Sequence, residues 1–353
     1  MPALAVPHPI QYQGSKRLLA PMILRFLPDH TPRLVEPFAG TAAVSVACAA
    51  ARRAERYWLN DLNKPLADLL SLIINHPGEI ADRYQQIWMA QTPDSLQHYY
   101  RARDEFNRAG DPALFLYLLA RCVKGSVRYN ADGLFNQSPD KRRRGAHPDT
   151  MRRNIMGVSA LLRGRTVVTA LDYKEVLARV DDNDVIYMDP PYQGVCGDRD
   201  SRYLAGIDHD EFAESLAALN RRNARYMVSY DGRLGERAYG RFLPAGLNLK
   251  RIELEVGRSS QATLLGRDEV TIESLYLSPA LVKQLPPTRI TLAGYHQSPQ
   301  QLHLFAMRQV RRIDLIWQGD EVRSYDRLKA DAREAHQSVP AFVKELIERA
   351  LSQ

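Results

Sequence analysis

Cysteine is scarce in this chain. Cys48, Cys122 and Cys196 stand far apart among 353 residues. They are too few and too scattered for a disulfide framework or a metal-ligand cluster, so no metal site is predicted. No apolar run approaches the roughly 20 residues that a membrane-spanning helix needs. The opening residues, Met1-Pro-Ala-Leu-Ala-Val-Pro7, lack the basic start and long apolar core of a secretory leader. These absences predict a cytoplasmic protein with no membrane partner. A Gly-x-Gly-x-x-Gly fingerprint is missing, which argues against a dinucleotide dehydrogenase, and no Gly-Lys-Ser/Thr marks a Walker loop. No segment repeats.

What is present reads as an ordinary globular chain with a basic excess. Apolar residues make up 45% and charged residues 25%, the balance of a folded domain. The length suits one large domain with an appendage, or two domains. A formal charge of +7 and a pI near 9.3 suggest a polyanionic partner, although many basic proteins bind no nucleic acid.

The organising stretch is Asp184-Val-Ile-Tyr-Met-Asp-Pro-Pro-Tyr192. Val185 to Met188 read as a buried parallel strand. Two prolines cannot extend a sheet ladder, so the strand stops at Asp189-Pro190-Pro191-Tyr192. A carboxylate, a free proline carbonyl and an aromatic ring then meet at a strand's carboxyl edge, where open α/β sheets bind ligands. The group suits a planar ring bearing an exocyclic amine. Alone, the tetrapeptide is equally a surface turn.

In chain order, Gln13-Gly14-Ser15-Lys16 is a turn leading into a helix predicted over 17–26. It could offer N–H groups and a cation to an anion, or be a plain cap. Arg33-Leu-Val enters Glu36-Pro37-Phe38-Ala39-Gly40-Thr41, followed by a helix of small residues. Strand, glycine turn and helix together make the topology of a nucleotide-type pocket, and Gly40 lets backbone approach a ligand. A second strand ends at Asp61, placed to hold ribose hydroxyls, to cap the helix beginning near Asn63, or both. Residues 64–119 are helical by spacing. The basic segment 124–144 interleaves Lys124, Arg128, Lys141, Arg142, Arg143 and Arg144 with Tyr129, Phe135, Asn130 and Asn136 around an Ala131-Asp132-Gly133 turn. Such residues read base edges and phosphates, but most basic runs are solvated loops. A further strand ends at Asp172-Tyr173. Residues 193–209 read as a charged loop, and strands are predicted over 225–231, 249–256 and 269–277. Prolines at 279, 286 and 287 mark a boundary. Beyond it, a strand is expected over 313–317 and an amphipathic helix over 340–351. Acidic residues at four strand ends (Glu36, Asp61, Asp172, Asp189) suggest one pocket.

The ordered set of motifs resembles the Dam family of DNA adenine-N6 methyltransferases, across about residues 8–280. Gln13-Gly-Ser-Lys16 stands where the family has a Gly-Gly-Lys turn. Val35-Glu-Pro-Phe-Ala-Gly40 is similar to its cofactor loop and Asn60-Asp-Leu-Asn63 to its Asp-Ile-Asn. Arg103-Asp-Glu-Phe-Asn107 and Phe115-Leu-Tyr-Leu118 resemble its helical insertion, Arg128-Tyr-Asn130 with Gly133 and Phe135-Asn136 its recognition entry, and Asp189-Pro-Pro-Tyr192 its catalytic tetrapeptide. The residues after Asn136 match less well, so no target sequence carries over.

The resemblance implies a doubly wound, mostly parallel α/β sheet, the Rossmann-like methyltransferase fold. It implies a catalytic part at 1–63 and 160–284 and a helical recognition insertion at 64–159, while the appendage expected at 285–353, beyond the proline boundary, has no counterpart in the family. It implies S-adenosyl-L-methionine as cofactor, held by Tyr12, Lys16, Glu36 to Thr41, Asp61, Asp172 and Tyr173. Double-stranded DNA is the expected substrate, contacted by Lys124, Arg128, Tyr129, Asn130, Asn136 and Lys141 to Arg144. A restriction endonuclease acting on the same site is a candidate partner in a prokaryotic or phage setting. Asp189, Pro190, Pro191 and Tyr192 would act on the flipped adenine. Cytosine-N4 or RNA methylation, and a non-catalytic DNA-binding regulator of the same fold, are the alternatives.

Overall fold

A computed structural model of the chain describes residues 6–191, 207–234, 237–239, 241–258, 270–291, 322–335 and 342–343. Two compact units divide it, Met1–Met307 and Arg308–Gln353.

In the first unit the elements alternate as a wound sheet requires. A short helix α1 (Ala20–Ile23) precedes strand β1 (Thr31–Glu36), helix α2 (Ala43–Ala50) and strand β2 (Ala54–Asn60). Five helices follow: α3 (Lys64–Asn75), α4 (Pro77–Met89), α5 (Ser95–Ala109), α6 (Pro112–Arg121) and α7 (Pro148–Leu162). Then come β3 (Thr166–Thr169), α8 (Tyr173–Ala178), β4 (Asp184–Met188), α9 (His209–Arg221) and β5 (Arg225–Leu234). Strands β6 (Arg237–Tyr239), β7 (Lys250–Arg258) and β8 (Val270–Leu277) close the sheet.

The strand order is β3-β2-β1-β4-β5-β8-β7, with β6 paired to β5. The first five strands are mutually parallel, while β6, β7 and β8 join by antiparallel pairing. The order reverses between β1 and β4, so a crevice opens beyond Glu36 and Met188.

Alternate side chains of each central strand enter two different cores, as the period of two demands. Leu34, Tyr57, Leu59, Val185, Tyr187 and Met227 pack with α1 to α7. Val35, Trp58, Ile186, Met188, Tyr226 and Val228 pack with α8 and α9. The helical insertion therefore shares its core with the sheet. Its buried helix is α6, whose Ala113 to Arg121 are all covered. Asp94 and Asp111 cap α5 and α6 through their side chains, each cap contributing about 1 kcal/mol.

The expected helix over 17–26 is instead a chain of short turns: 3-10 at Lys16–Leu18, α1, and 3-10 at Leu24–Phe26. Pro21 supplies no N–H and so interrupts the ladder inside that run. The strand expected up to Tyr173 stops at Thr169, leaving Asp172 free to cap α8. In the second unit a helix spans Val322–Glu334, which periodicity did not single out. The strand expected over 313–317 lies outside the described residues. Of the helix expected over 340–351 only 342–343 are described, and they are helical. Among the described residues no helix is long and apolar enough to cross a membrane.

Candidate active site

The carboxyl ends of β1, β2 and β4 surround one cavity of about 290 Å³. Its floor begins at the loop after β1. Gly40 adopts φ +51°, and its N–H donates to Asp61 Oδ2 at 2.8 Å. Asp61 Oδ1 accepts the Asn63 N–H at 2.9 Å. Asp61 thus ties the loop to the start of α3. Burial holds its carboxyl above the usual range against those two bonds.

Asn60, 1% exposed, binds three strand ends together. Its amide nitrogen donates to the carbonyls of Pro37 and Leu171, at 3.0 and 2.9 Å. Its oxygen accepts from Leu171 N–H at 2.8 Å and Thr169 Oγ1 at 2.7 Å. All four hydrogen-bonding positions of the amide are used, so this residue builds the cavity rather than facing it.

Glu36 ends β1, 2% exposed, and its Oε1 accepts the Ser45 N–H at 2.7 Å. Burial pushes its carboxyl to about 8, with nearby Asp189 adding to the push. Phe38 lines the cavity with its ring 5.2 Å from that of Tyr173. Asp172 Oδ1 accepts the Lys174 N–H at 2.9 Å as the cap of α8.

Across the crevice stands Asp189, at the end of β4. Burial raises its carboxyl to about 6, the cation of Lys16 opposes the rise, and Glu273 adds to it. Lys16 Nζ stands 3.0 Å from Asp189 Oδ1 and 3.1 Å from Glu273 Oε2, and Lys16 is 9% exposed. Below this group Tyr187 hydroxyl and Ser229 Oγ are 2.9 Å apart. Ser15 Oγ lies 3.0 Å from Thr41 Oγ1, which joins the turn carrying Lys16 to the loop after β1.

The structure brings Tyr12, Lys16, Glu36 to Thr41, Asp61, Asp172, Tyr173, Asp189, Pro190 and Pro191 to the wall of this one cavity. Tyr192 lies outside the described residues. The recognition segment is less uniform. Arg128, Asn136, Lys141, Arg142, Arg143 and Arg144 are exposed. Asn130 is half-buried, and its Oδ1 accepts the Asp132 and Leu134 N–H groups, closing the turn at Gly133. Tyr129, expected among the DNA contacts, is 8% exposed, lines the cavity and donates its hydroxyl to Asn63 Oδ1 at 3.1 Å. Packing against Phe135 turns its ring inward. The side chain of Lys124 is outside the described residues.

Sequence reasoning missed Asn60 and Glu273. Asn60 lies inside a quoted motif but reads as a strand end. Glu273 sits in an alternating strand where it reads as a solvent-facing residue, so no signal in the chain marked it.

Comparison with known proteins bears on the same stretch. The DNA adenine methylase of Escherichia coli (strain K12) is 30% identical over 187 residues, covering 52% of this chain and 64% of that protein. The Retron Ec67 DNA adenine methylase of Escherichia coli is 27% identical over 265 residues, 72% of this chain and 88% of its own. The DNA N-6-adenine-methyltransferase of Escherichia phage P1 is 26% identical over 236 residues, 63% of this chain and 29% of its own. The chain thus spans just under two thirds of the first of these relatives. The family described as D12 class N6 adenine-specific DNA methyltransferase matches residues 12–253. That stretch holds both cavity loops, the recognition segment and β4, and is well over half of the chain, which therefore belongs to the D12 class N6 adenine-specific DNA methyltransferase family.

Proposed function

We propose that the protein is a site-specific DNA methyltransferase, transferring the methyl group of S-adenosylmethionine to N6 of an adenine extruded from duplex DNA. One observation carries this reading. The Asp189 carboxylate and Pro190 share a 290 Å³ cavity with the loop after β1 and with Asp61, so an amine acceptor and a nucleoside-type pocket face each other.

The donor set suits S-adenosylmethionine. Each Asp61 oxygen accepts one backbone N–H, which leaves a lone pair on each for a vicinal diol. Asp172 uses one oxygen on the Lys174 N–H and keeps capacity for an exocyclic amine. Phe38 and Leu171 give an apolar wall. Bound there, the cofactor supplies an electrophilic methyl group on a sulfonium.

The chain's own residues do the rest. Asp189 and the Pro190 carbonyl accept the two N6 hydrogens, drawing the nitrogen lone pair out of ring conjugation and towards the methyl group. The Asp189 charge then stabilises the cation developing at N6. Holding both reactants in one cavity supplies much of the acceleration. Asp189 and Glu273 set two carboxyl groups against the one Lys16 ammonium, which suits a site receiving a sulfonium.

Duplex DNA is the proposed substrate. Arg128, Asn136 and the exposed Lys141 to Arg144 are its proposed contacts, together with Lys124 and Asn130 at the turn. Tyr192 is the proposed stacking partner of the flipped base. In this reading 1–63 and 160–284 catalyse, 64–159 recognises, and 285–353 is an appendage. A restriction endonuclease reading the same site is a further proposed partner, in the cytoplasm of a prokaryotic cell.

The experiment incubates purified protein with unmethylated genomic DNA and methyl-labelled S-adenosylmethionine, maps modified bases by single-molecule sequencing, and uses Asp189→Ala as control. N6-methyladenine at one short motif, absent with the variant, is the expected outcome. Cofactor binding without DNA methylation sinks the proposal.

A further inference from the structure

Glu273 belongs to none of the motifs above, yet its position is built with care. Ser229 pairs with Leu275 and Gly232 with Glu273, so β5 carries one residue more than β8 at that point. This is a β-bulge. Asp231, 2% exposed, is held in it by Ser274 Oγ at 2.5 Å, by the Tyr276 hydroxyl and by the Arg251 guanidinium at 3.1 Å. Gly232 is the residue the bulge requires, since a Cβ there would lie 2.6 Å from the Ile272 carbonyl oxygen. Ser274 and Tyr276 bind Asp231 on one face of β8. Glu273 points to the other, where its Oε2 stands 3.1 Å from Lys16 Nζ.

We propose that Glu273 is a positioning residue for methyl transfer: it retains the Lys16 ammonium when the target amine takes Asp189. The inference rests on the methyltransferase reading above. Lys16 stands 3.0 Å from Asp189 Oδ1, an oxygen that the N6 hydrogens need. Lys16 is 9% exposed, and a buried ammonium stripped of a carboxylate carries a large desolvation penalty. With Glu273 already within reach, Lys16 releases Asp189 and stays paired. Without that second carboxylate, the ammonium competes with the incoming amine for Asp189.

The charged and titratable groups facing Asp189 are Lys16, Glu273, Glu36 and Tyr187. The negative charge of Glu273 pushes the Asp189 carboxyl up, so neutralising Glu273 moves it down.

The test compares wild type, Glu273→Gln and Glu273→Asp in the full chain, at saturating S-adenosylmethionine and duplex DNA. In Glu273→Gln, kcat should fall roughly tenfold or more and the acidic limb of kcat/KM should move to lower pH. Glu273→Asp should recover most of the rate. A lower Tm with the limb unmoved indicates a structural role and overturns the proposal, as does wild-type kcat in Glu273→Gln. A substrate-free measurement separates this from the enzyme reading: the Asp189 carboxyl titration by 13C NMR in aspartate-labelled protein, assigned with Asp189→Asn. No shift in Glu273→Gln overturns the Glu273 assignment even where wild type methylates DNA. A shift in a wild-type protein that methylates no DNA overturns the methyltransferase reading, and the proposed role in transfer with it.

Discussion

The two ends of β4 each carry an aspartate, and they are held in opposite ways. Asp184, 4% exposed at the amino end, receives Arg33 Nε at 2.8 Å and the Arg33 terminal nitrogen at 2.6 Å, with the Asp181 N–H at 2.7 Å. That is a bidentate, charge-matched pair across β1 and β4. Asp189, five residues on, has the Lys16 ammonium, which it shares with Glu273, and burial holds its carboxyl up at about 6. One carboxylate is satisfied and fastens the sheet. The other is left with acceptor capacity and a raised proton affinity, the condition of a group kept for a ligand. Within one strand, the degree of satisfaction separates structure from chemistry more sharply than residue type does.

Substitution at each end should break the comparison in opposite directions. Asp189→Ala should lower methyl transfer by ~10³-fold or more while Tm stays within a few degrees, checked by label transfer and a thermal melt on the same sample. Arg33→Ala leaves Asp184 buried and uncompensated and should cost about 3–5 kcal/mol of stability, with kcat per folded molecule retained. Denaturant melts and active-site titration distinguish the two. A catalytic loss from Arg33→Ala at full stability would show that the ends are not separable.

Asn60 tests the sheet's carboxyl edge from the structural side. Asn60→Ala strands the Pro37 and Leu171 carbonyls and the Leu171 N–H, for a loss of about 2–4 kcal/mol. Because those groups set the loops beside Asp61 and Asp172, S-adenosylmethionine affinity should weaken as well, read by calorimetric titration. Loss of stability with affinity intact would confine Asn60 to the scaffold.

The same contrast explains what was legible in the chain. The strands with unbroken apolar runs, Val185 to Met188 above all, are visible because both faces of a parallel strand are buried. The carboxylates after them are visible because prolines or glycine must end the ladder there. Tyr129 reads as a base contact because it is an aromatic in a basic run, while in the fold Phe135 and Asn63 draw it inward. Glu273 was invisible for a different reason. Its role depends on a bulge near Asp231 and on a lysine more than 250 positions away, and local spacing carries neither. Residues 17–26 read as one helix, but Pro21 breaks the backbone ladder there into short turns.

Ionisation sharpens the comparison further. Asp189 accepts the amine hydrogens as a carboxylate, so activity should fall as pH drops through about 6, where the proton turns an acceptor into a donor. The pH dependence of kcat/KM for the free enzyme reads this directly. An acidic limb near 4 would mean that Asp189 is held like an ordinary surface carboxylate.

At Glu36 stability rather than rate responds to pH. Burial lifts its carboxyl from the ordinary 4.5 to about 8. Between those values the unfolded chain has released the proton and the folded chain has kept it. The unfolded state therefore binds fewer protons, and stability falls as pH rises through that interval, levelling off above it. Glu36→Gln keeps an oxygen for the Ser45 N–H and cannot ionise. Its melting temperature relative to wild type should be constant below about pH 4.5 and climb in the variant's favour up to about pH 8. Melts of both proteins at half-unit intervals measure that difference. A flat difference across the range would mean that Glu36 is ionised in the folded protein at neutral pH, adding one negative charge to the cavity wall beside Asp189.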